Sequence, residues 1–158
     1  MPDNISVDLE TLFPLIQQKL NQGGDVTFGP KGVSMLPIIR QGIDSVKISP
    51  LTSDLKKYDV PLYRRSNGQF VLHRIVGINN GSYVMCGDNQ FIREKDITRD
   101  MIIGVMSEII KPDGVIKTND KSYISYSRRQ VRKQYVKWVL WNFKSILKKL
   151  FMKLHLYK

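Results

Sequence analysis

Between Asp25 and Lys117 the chain never sustains a long apolar run. Short stretches rich in β-branched residues alternate with Gly, Pro, Asn and Asp. The stretches are Val26 to Phe28, Ser45 to Ile48, Val60 to Tyr63, Phe70 to Ile78, Tyr83 to Cys86, Ile102 to Ile110 and Gly114 to Lys117. Segments of this length and texture predict a mainly antiparallel β domain. Ser66-Asn67-Gly68, Asn79-Asn80-Gly81 and Pro112-Asp113-Gly114 each offer Gly where a tight hairpin needs positive φ, so three of the connections read as hairpins.

Helical periodicity flanks this region on both sides. Leu9, Leu12, Phe13, Ile16 and Leu20 recur at three- and four-residue steps over residues 8 to 22, with Pro14 as an expected kink and Gly23-Gly24 as the stop. From about Tyr126, Val136, Val139, Leu140, Phe143, Leu147, Leu150, Phe151 and Leu154 share one side of a helical wheel, and Lys133, Lys137, Lys144 and Lys148 gather on another. The expected organisation is an N-terminal helix over 1–24, a β domain over 25–120 and a basic amphipathic helical tail over 121–158.

The chain has 158 residues, 42% of them hydrophobic, which suits one domain with a genuine core and excludes both a multidomain enzyme and a disordered chain. Its net charge of +11 is unevenly spread. Residues 128–158 hold 10 basic side chains and no acidic one, leaving 15 basic against 14 acidic elsewhere. The tail therefore carries the charge. One reading packs its apolar stripe on the β domain; another docks it on an anionic membrane surface, with Trp138 and Trp141 near the interface. A third use of the stripe is dimerisation. Nucleic acid is disfavoured, because the near-neutral β domain offers no supporting basic patch.

Met1 to Glu10 lacks a basic segment followed by an apolar one, so no signal or transit peptide is expected. The longest unbroken apolar stretch in the tail is Trp138 to Trp141, far short of the roughly 20 residues that span a bilayer. The expectation is a cytoplasmic protein, soluble or peripheral at the inner face of the membrane. One cysteine, Cys86, and two histidines, His73 and His155, cannot assemble a zinc site of Cys/His type, and no cofactor is expected. Cys86 reads as a core residue.

Three segments carry chemistry. Ser34 lies in Gly32-Val33-Ser34-Met35-Leu36-Pro37, a loop after a strand closed by Pro. By itself such a serine is usually a plain loop residue. His73 lies in Phe70 to Val76, where strand alternation puts Val71, His73 and Ile75 on one face and Leu72, Arg74 and Val76 on the other. A lone histidine among apolar neighbours is more often core than catalyst. Arg74 reads as a structural partner of Asp59 or Asp100. Gly87-Asp88-Asn89 is ordinarily an Asx turn. Together the three supply what acyl transfer requires: a hydroxyl nucleophile, an imidazole to take its proton and a carboxylate to orient the imidazole.

Ser-Met-x-Pro, followed about forty residues later by His-Arg-Ile-Val and then Gly-Asp-Asn, resembles the S26 signal peptidase family, which shares a fold with the self-cleaving SOS repressors of family S24. The likeness covers about Val26 to Ile110. It implies a coiled β-sheet domain of signal-peptidase/SOS-repressor type and a serine endopeptidase, with Ser34 as nucleophile, His73 as general base and Asp88 as orienting acid. Bacterial signal peptidases and the repressors use lysine as base, and His73 is similar to the branch with serine and histidine. That branch has a second acid shortly after Gly-Asp-Asn, for which Glu94 and Asp96 are candidates.

Features that depart from the family are the expected lack of a transmembrane anchor, Gly32 where a serine commonly assists the oxyanion hole, and Lys56 to Val60 where the family usually has a Gly-Asp turn. The expected substrate is a precursor or leader peptide, or the chain itself. The competing expectation is a non-catalytic peptide-binding β domain held at a membrane surface by its C-terminal helix.

Overall fold

The computed structural model describes residues 9–155, with side chains for residues 11–144. In chain order its elements are α1 (Leu9–Asn21), β1 (Val26–Phe28), β2 (Ser45–Ser49), β3 (Pro61–Arg64), β4 (Phe70–Leu72), β5 (Arg74–Asn79), β6 (Ser82–Cys86), β7 (Glu94–Ile97), a short 3-10 turn (Arg99–Met101), β8 (Ile102–Lys111), β9 (Gly114–Lys117) and α2 (Lys121–His155). The fold is mainly β, antiparallel throughout, with a helix at each end. Leu147, Leu150, Phe151 and Leu154 of the expected apolar stripe have side chains outside the described residues.

Two sheets share the β domain. The larger runs β1-β2-β8-β3-β4, with β9 also on β8, and the smaller runs β5-β6-β7. The ten-residue β8 binds β2 along one edge, and β3 and β9 in succession along the other. Its burial alternates, so Ile102, Gly104, Met106 and Ile109 point inward. One core cluster joins Val46, Ile48, Leu62, Met106 and Ile109 to Ile16 and Leu20 of α1 and to Met35 and Ile39 of the loop after β1. Gly23 and Gly24 then end α1 by donating to the carbonyls of Leu20 and Lys19. A second cluster gathers Tyr63, Ile75, Met85, Ile97 and Ile102 between the sheets.

The stretch expected as one strand over Phe70–Ile78 is two. β4 ends at Leu72 in the larger sheet, β5 begins at Arg74 in the smaller one, and His73 stands at the break. Residues 72–76 are all buried, so no solvent face requires a straight half-exposed strand there. Facing directions nonetheless follow the alternation. Val71 and Ile75 pack in the second cluster and His73 lies against Tyr63, while Val76 faces away into a third cluster with Val84, Cys86 and Val131.

Two elements depart further from expectation. β7 has three charged residues in four and reads as a polar loop; it forms because an edge strand tolerates charge on its open side. The tail helix starts at Lys121, five residues before Tyr126, its first turn closed by the Ile124 amide on the Asp120 carbonyl. It docks through Tyr123, Ser127, Val131 and Gln134, all buried, whereas Val136, Val139, Leu140 and Phe143 stand exposed, against the reading that packs the apolar stripe on the β domain. This stripe wins because Val131 and Tyr123 join the apolar clusters while Ser127, Gln130 and Gln134 bond Arg74 and backbone carbonyls. Among the described residues no helix is long and apolar enough to cross a membrane.

Candidate active site

Ser34 and His73 line one cleft of about 580 Å3, together with Gly32, Met35, Gln90 and the strand Phe70–Leu72. Met35 and Ile39, buried in the first core cluster, pin the turn that carries Ser34 to the larger sheet. The far end of that turn is tied by Asp44, which accepts from Arg40 and Lys111 and is buried. Hydrogen bonds from Arg40 hold the Asp44 carboxyl far below the usual carboxylate range against the opposing cost of burial.

The third motif meets the first through backbone. Asn89 donates its amide N–H to the Ser34 carbonyl at 2.7 Å and its side-chain amide to the Val33 carbonyl at 3.3 Å. Gly87 lies beneath. A Cβ there would stand 2.7 Å from the Ser34 carbonyl oxygen and 3.0 Å from Ser34 Cβ, so only glycine lets the two turns close on each other. Gly87→Ala is expected to push the Ser34 turn outward and slow any reaction at Ser34 by about a hundredfold, since displacement of a reacting group by about 1 Å costs that much. Acylation rates of parent and variant, compared at equal folded fraction, check this; an unchanged rate would show that the contact does not position Ser34.

Gly32 has a different reason for being glycine. Its φ of +96° is disfavoured for other residues, although a side chain would meet nothing. Its N–H is taken by Gln41 Oε1 at 2.7 Å. The N–H groups of Ser34 and Met35 donate to no group among the described residues.

His73 is buried but not sealed. Tyr63 Oη lies 3.4 Å from its Nδ1 and gives its own hydrogen to Glu94 Oε2 at 2.7 Å. A hydroxyl has one hydrogen, so with it committed to Glu94 the Tyr63 oxygen faces His73 as an acceptor. The neutral imidazole then carries its hydrogen on Nδ1 and leaves the Nε2 lone pair open. Among the described residues Gln134 Oε1 is the one buried side-chain N or O without a partner, so Nε2 and the unpaired Ser34 hydroxyl both keep open surface. Burial pulls the His73 pKa down to about 4 and outweighs the opposing pull of the negative Glu94. The ring is neutral at pH 7 and able to accept a proton.

Glu94, not the exposed Asp96, is the acid brought beside His73. Burial alone would raise the Glu94 carboxyl; hydrogen bonds from Arg65 at 2.6 and 2.7 Å and from Tyr63 outweigh it and keep it ionised. Burial and that same carboxylate push the Tyr63 hydroxyl well above its ordinary range, so it stays protonated.

Asp88, expected to orient His73, is turned elsewhere. Its two oxygens accept Arg74 Nε at 2.8 Å and Nη2 at 2.7 Å, with both side chains fully buried, and Tyr126 Oη adds a third bond. The expected partners of Arg74, Asp59 and Asp100, are replaced by Asp88 because β5 pairs Arg74 with Cys86, and Asp88 lies two residues further on the same face. Arg74 Nη1 donates to the Tyr58 carbonyl, Tyr123 and Ser127. Gln130 and Gln134 of α2 donate to the carbonyls of Asp88 and Gly87. The start of α2 thus clamps the Gly87-Asp88-Asn89 turn.

Tyr63, Arg65 and the α2 clamp were not anticipated. Polar residues 123, 127, 130 and 134, at steps of four, three and four, were the available signal for the clamp. Cys86 is buried, and its thiol is pushed up to about 11 by that burial, which removes it as a nucleophile at neutral pH. Among the described residues no group of three or more His, Cys, Asp or Glu is arranged to hold a metal ion. No protein-family model, curated protein or solved structure matches the chain.

Proposed function

We propose that the protein is a small serine endopeptidase of signal-peptidase-like type that hydrolyses a peptide bond through an acyl-enzyme on Ser34. The observation that carries this reading is the shared cleft: Ser34, whose hydroxyl has no partner among the described residues, lines the same space as a neutral His73 whose Nε2 has none either. In the first step Nε2 takes the hydroxyl proton as Oγ attacks the substrate carbonyl, and the resulting imidazolium passes that proton to the leaving amine. Water, deprotonated by the same nitrogen, then releases the acyl group. The N–H groups of Ser34 and Met35, unpaired among the described residues, are the donors available to the oxyanion. Tyr63 and Glu94 fill the orienting role: Tyr63 accepts Nδ1–H, and the Glu94 charge stabilises the imidazolium.

The cleft wall supports an extended peptide as substrate. β4 ends its sheet and pairs with β3 alone among the described strands, so its outer edge offers unpaired backbone groups beside Ser34. An extended peptide adds to such an edge, with main-chain hydrogen bonds giving affinity and side-chain pockets giving selectivity. A precursor or leader peptide, or a segment of the chain itself, fits this description.

A second reading, a peptide-binding module without chemistry, draws on the lack of a hydrogen bond between Ser34 and His73. Treating the full chain with a serine-directed fluorophosphonate and mapping the adduct by peptide mass separates the two. One adduct on Ser34 is the expected result. A chain that stays unlabelled while still binding extended peptides would favour the module.

A further inference from the structure

α2 presents a second site, beside its clamp. A cavity of about 570 Å3 between α2 and β5 is lined by Lys57, Arg93, Arg128, Arg129 and Arg132 over a floor that includes Val76 and Val131, with no Asp or Glu among the described residues of its wall. Among the described residues Arg128, Arg129 and Arg132 have no ion pair. Five cations converging without a counter-charge form an anion site. Along the same side of the helix, one to three turns further on, Val136, Val139, Leu140 and Phe143 stand 50%, 40%, 55% and 60% exposed. The helix is thus basic, then apolar, on one continuous face.

We propose that this face docks on an anionic lipid surface, with headgroup phosphates in the arginine cavity and the apolar residues at the acyl boundary. Both halves are satisfied by such a surface alone. A nucleic acid would meet the arginines and leave the apolar run in water. A second copy would bring together two segments with 10 basic and no acidic residues each. Basic amphipathic helices that lie on membranes combine these same two contributions, each Lys or Arg near an anionic surface adding to affinity.

The docked helix also reaches the cleft. Arg93 lies over the rings of Tyr135 and Trp138, at 5.5 and 4.5 Å, and Phe91 meets Trp141 at 6.0 Å. Residues 91–93 belong to the loop that walls His73 on its other side. A helix resting on lipid would therefore hold that loop, and the cleft behind it, close to the membrane surface.

Co-sedimentation of the full chain tests this with vesicles of phosphatidylglycerol mixed with phosphatidylcholine and of phosphatidylcholine alone. Binding to the mixed vesicles, weakened by salt, and little binding to phosphatidylcholine are expected. Combined Arg128→Glu, Arg129→Glu and Arg132→Glu should lower affinity at least about tenfold. The three corresponding lysine substitutions should retain it, and Val136→Ser with Phe143→Ser should weaken it. Equal pelleting with both vesicle types, or no effect of the charge reversals, would overturn the proposal. So would inorganic pyrophosphate binding, duplex DNA binding or self-association without vesicle binding. Ser34→Ala should pellet like the parent, so this reading and the peptidase reading fail separately.

Discussion

Replacing His73 by Gln is expected to slow acylation of Ser34 by roughly a thousandfold or more, and replacing Ser34 by Ala to abolish it. A serine hydroxyl at neutral pH is a weak nucleophile, and a positioned base contributes about 10²–10⁴ in rate. The pH profile makes the assignment specific. Only neutral imidazole accepts the proton, and burial draws the His73 pKa down to about 4. The parent rate should hold from pH 8 down to about 5 and fall below about 4, tenfold per unit, as the ring charges. An unburied histidine would begin this fall near 6.5. His73→Gln should lose the acid limb along with the rate. Acylation rates from pH 3 to 8, with circular dichroism to confirm folding at each pH, provide the measurement. A limb near 6.5, or a His73→Gln rate equal to the parent, would remove His73 as the base.

The second large effect concerns stability. Arg74→Ala should cost about 3–5 kcal/mol, because it leaves the buried Asp88 carboxylate without its bidentate partner. For a chain of this size that is a fall in Tm of about 10 °C. Burial disfavours the Arg74 charge, but Asp88 outweighs it and raises the guanidinium pKa above its ordinary value, so Arg74 is charged at every pH at which the protein folds. Asp88→Ala should cost a similar amount. The combined change Arg74→Met with Asp88→Leu should cost clearly less than the two single losses together, since it leaves no unpaired charge. Urea titrations of the four chains decide this; single losses below 1 kcal/mol, or strict additivity, would show that the pair is not the tie between β5 and the Gly87-Asp88-Asn89 turn. Loss of that tie also frees the turn that holds Ser34, so the two effects meet at one loop.

Much of the architecture was legible locally. Turn residues and β-branched runs mark most strand positions, because hairpin geometry and strand packing act over a few residues. β7 escaped because Glu94, Lys95 and Asp96 look like loop, and only the edge of β6 makes them a strand. The split at His73 escaped because an unbroken buried run is compatible with one long strand or two short ones.

The site was legible as a set of motifs and less so as a set of contacts. Ser34 and His73 were identified by residue type and order, and the structure brings both to one cleft. The acid was not. Asp88 is the expected orienting carboxylate, yet strand register delivers it to Arg74 and leaves the place beside His73 to Tyr63 and Glu94. Register depends on pairings between distant segments, and neither motif spacing nor local propensity records it.

From the sequence alone come the mainly β domain, its flanking helices, the acid-free basic tail and the three chemical segments. Each follows from residue type, local periodicity or local turn chemistry. Only the tertiary structure decides that His73 stands where two sheets part, that Asp88 serves Arg74, and that α2 packs through Tyr123, Ser127, Val131 and Gln134. These are long-range choices, made by which buried charges and hydrogen-bonding groups find partners once the sheets have closed.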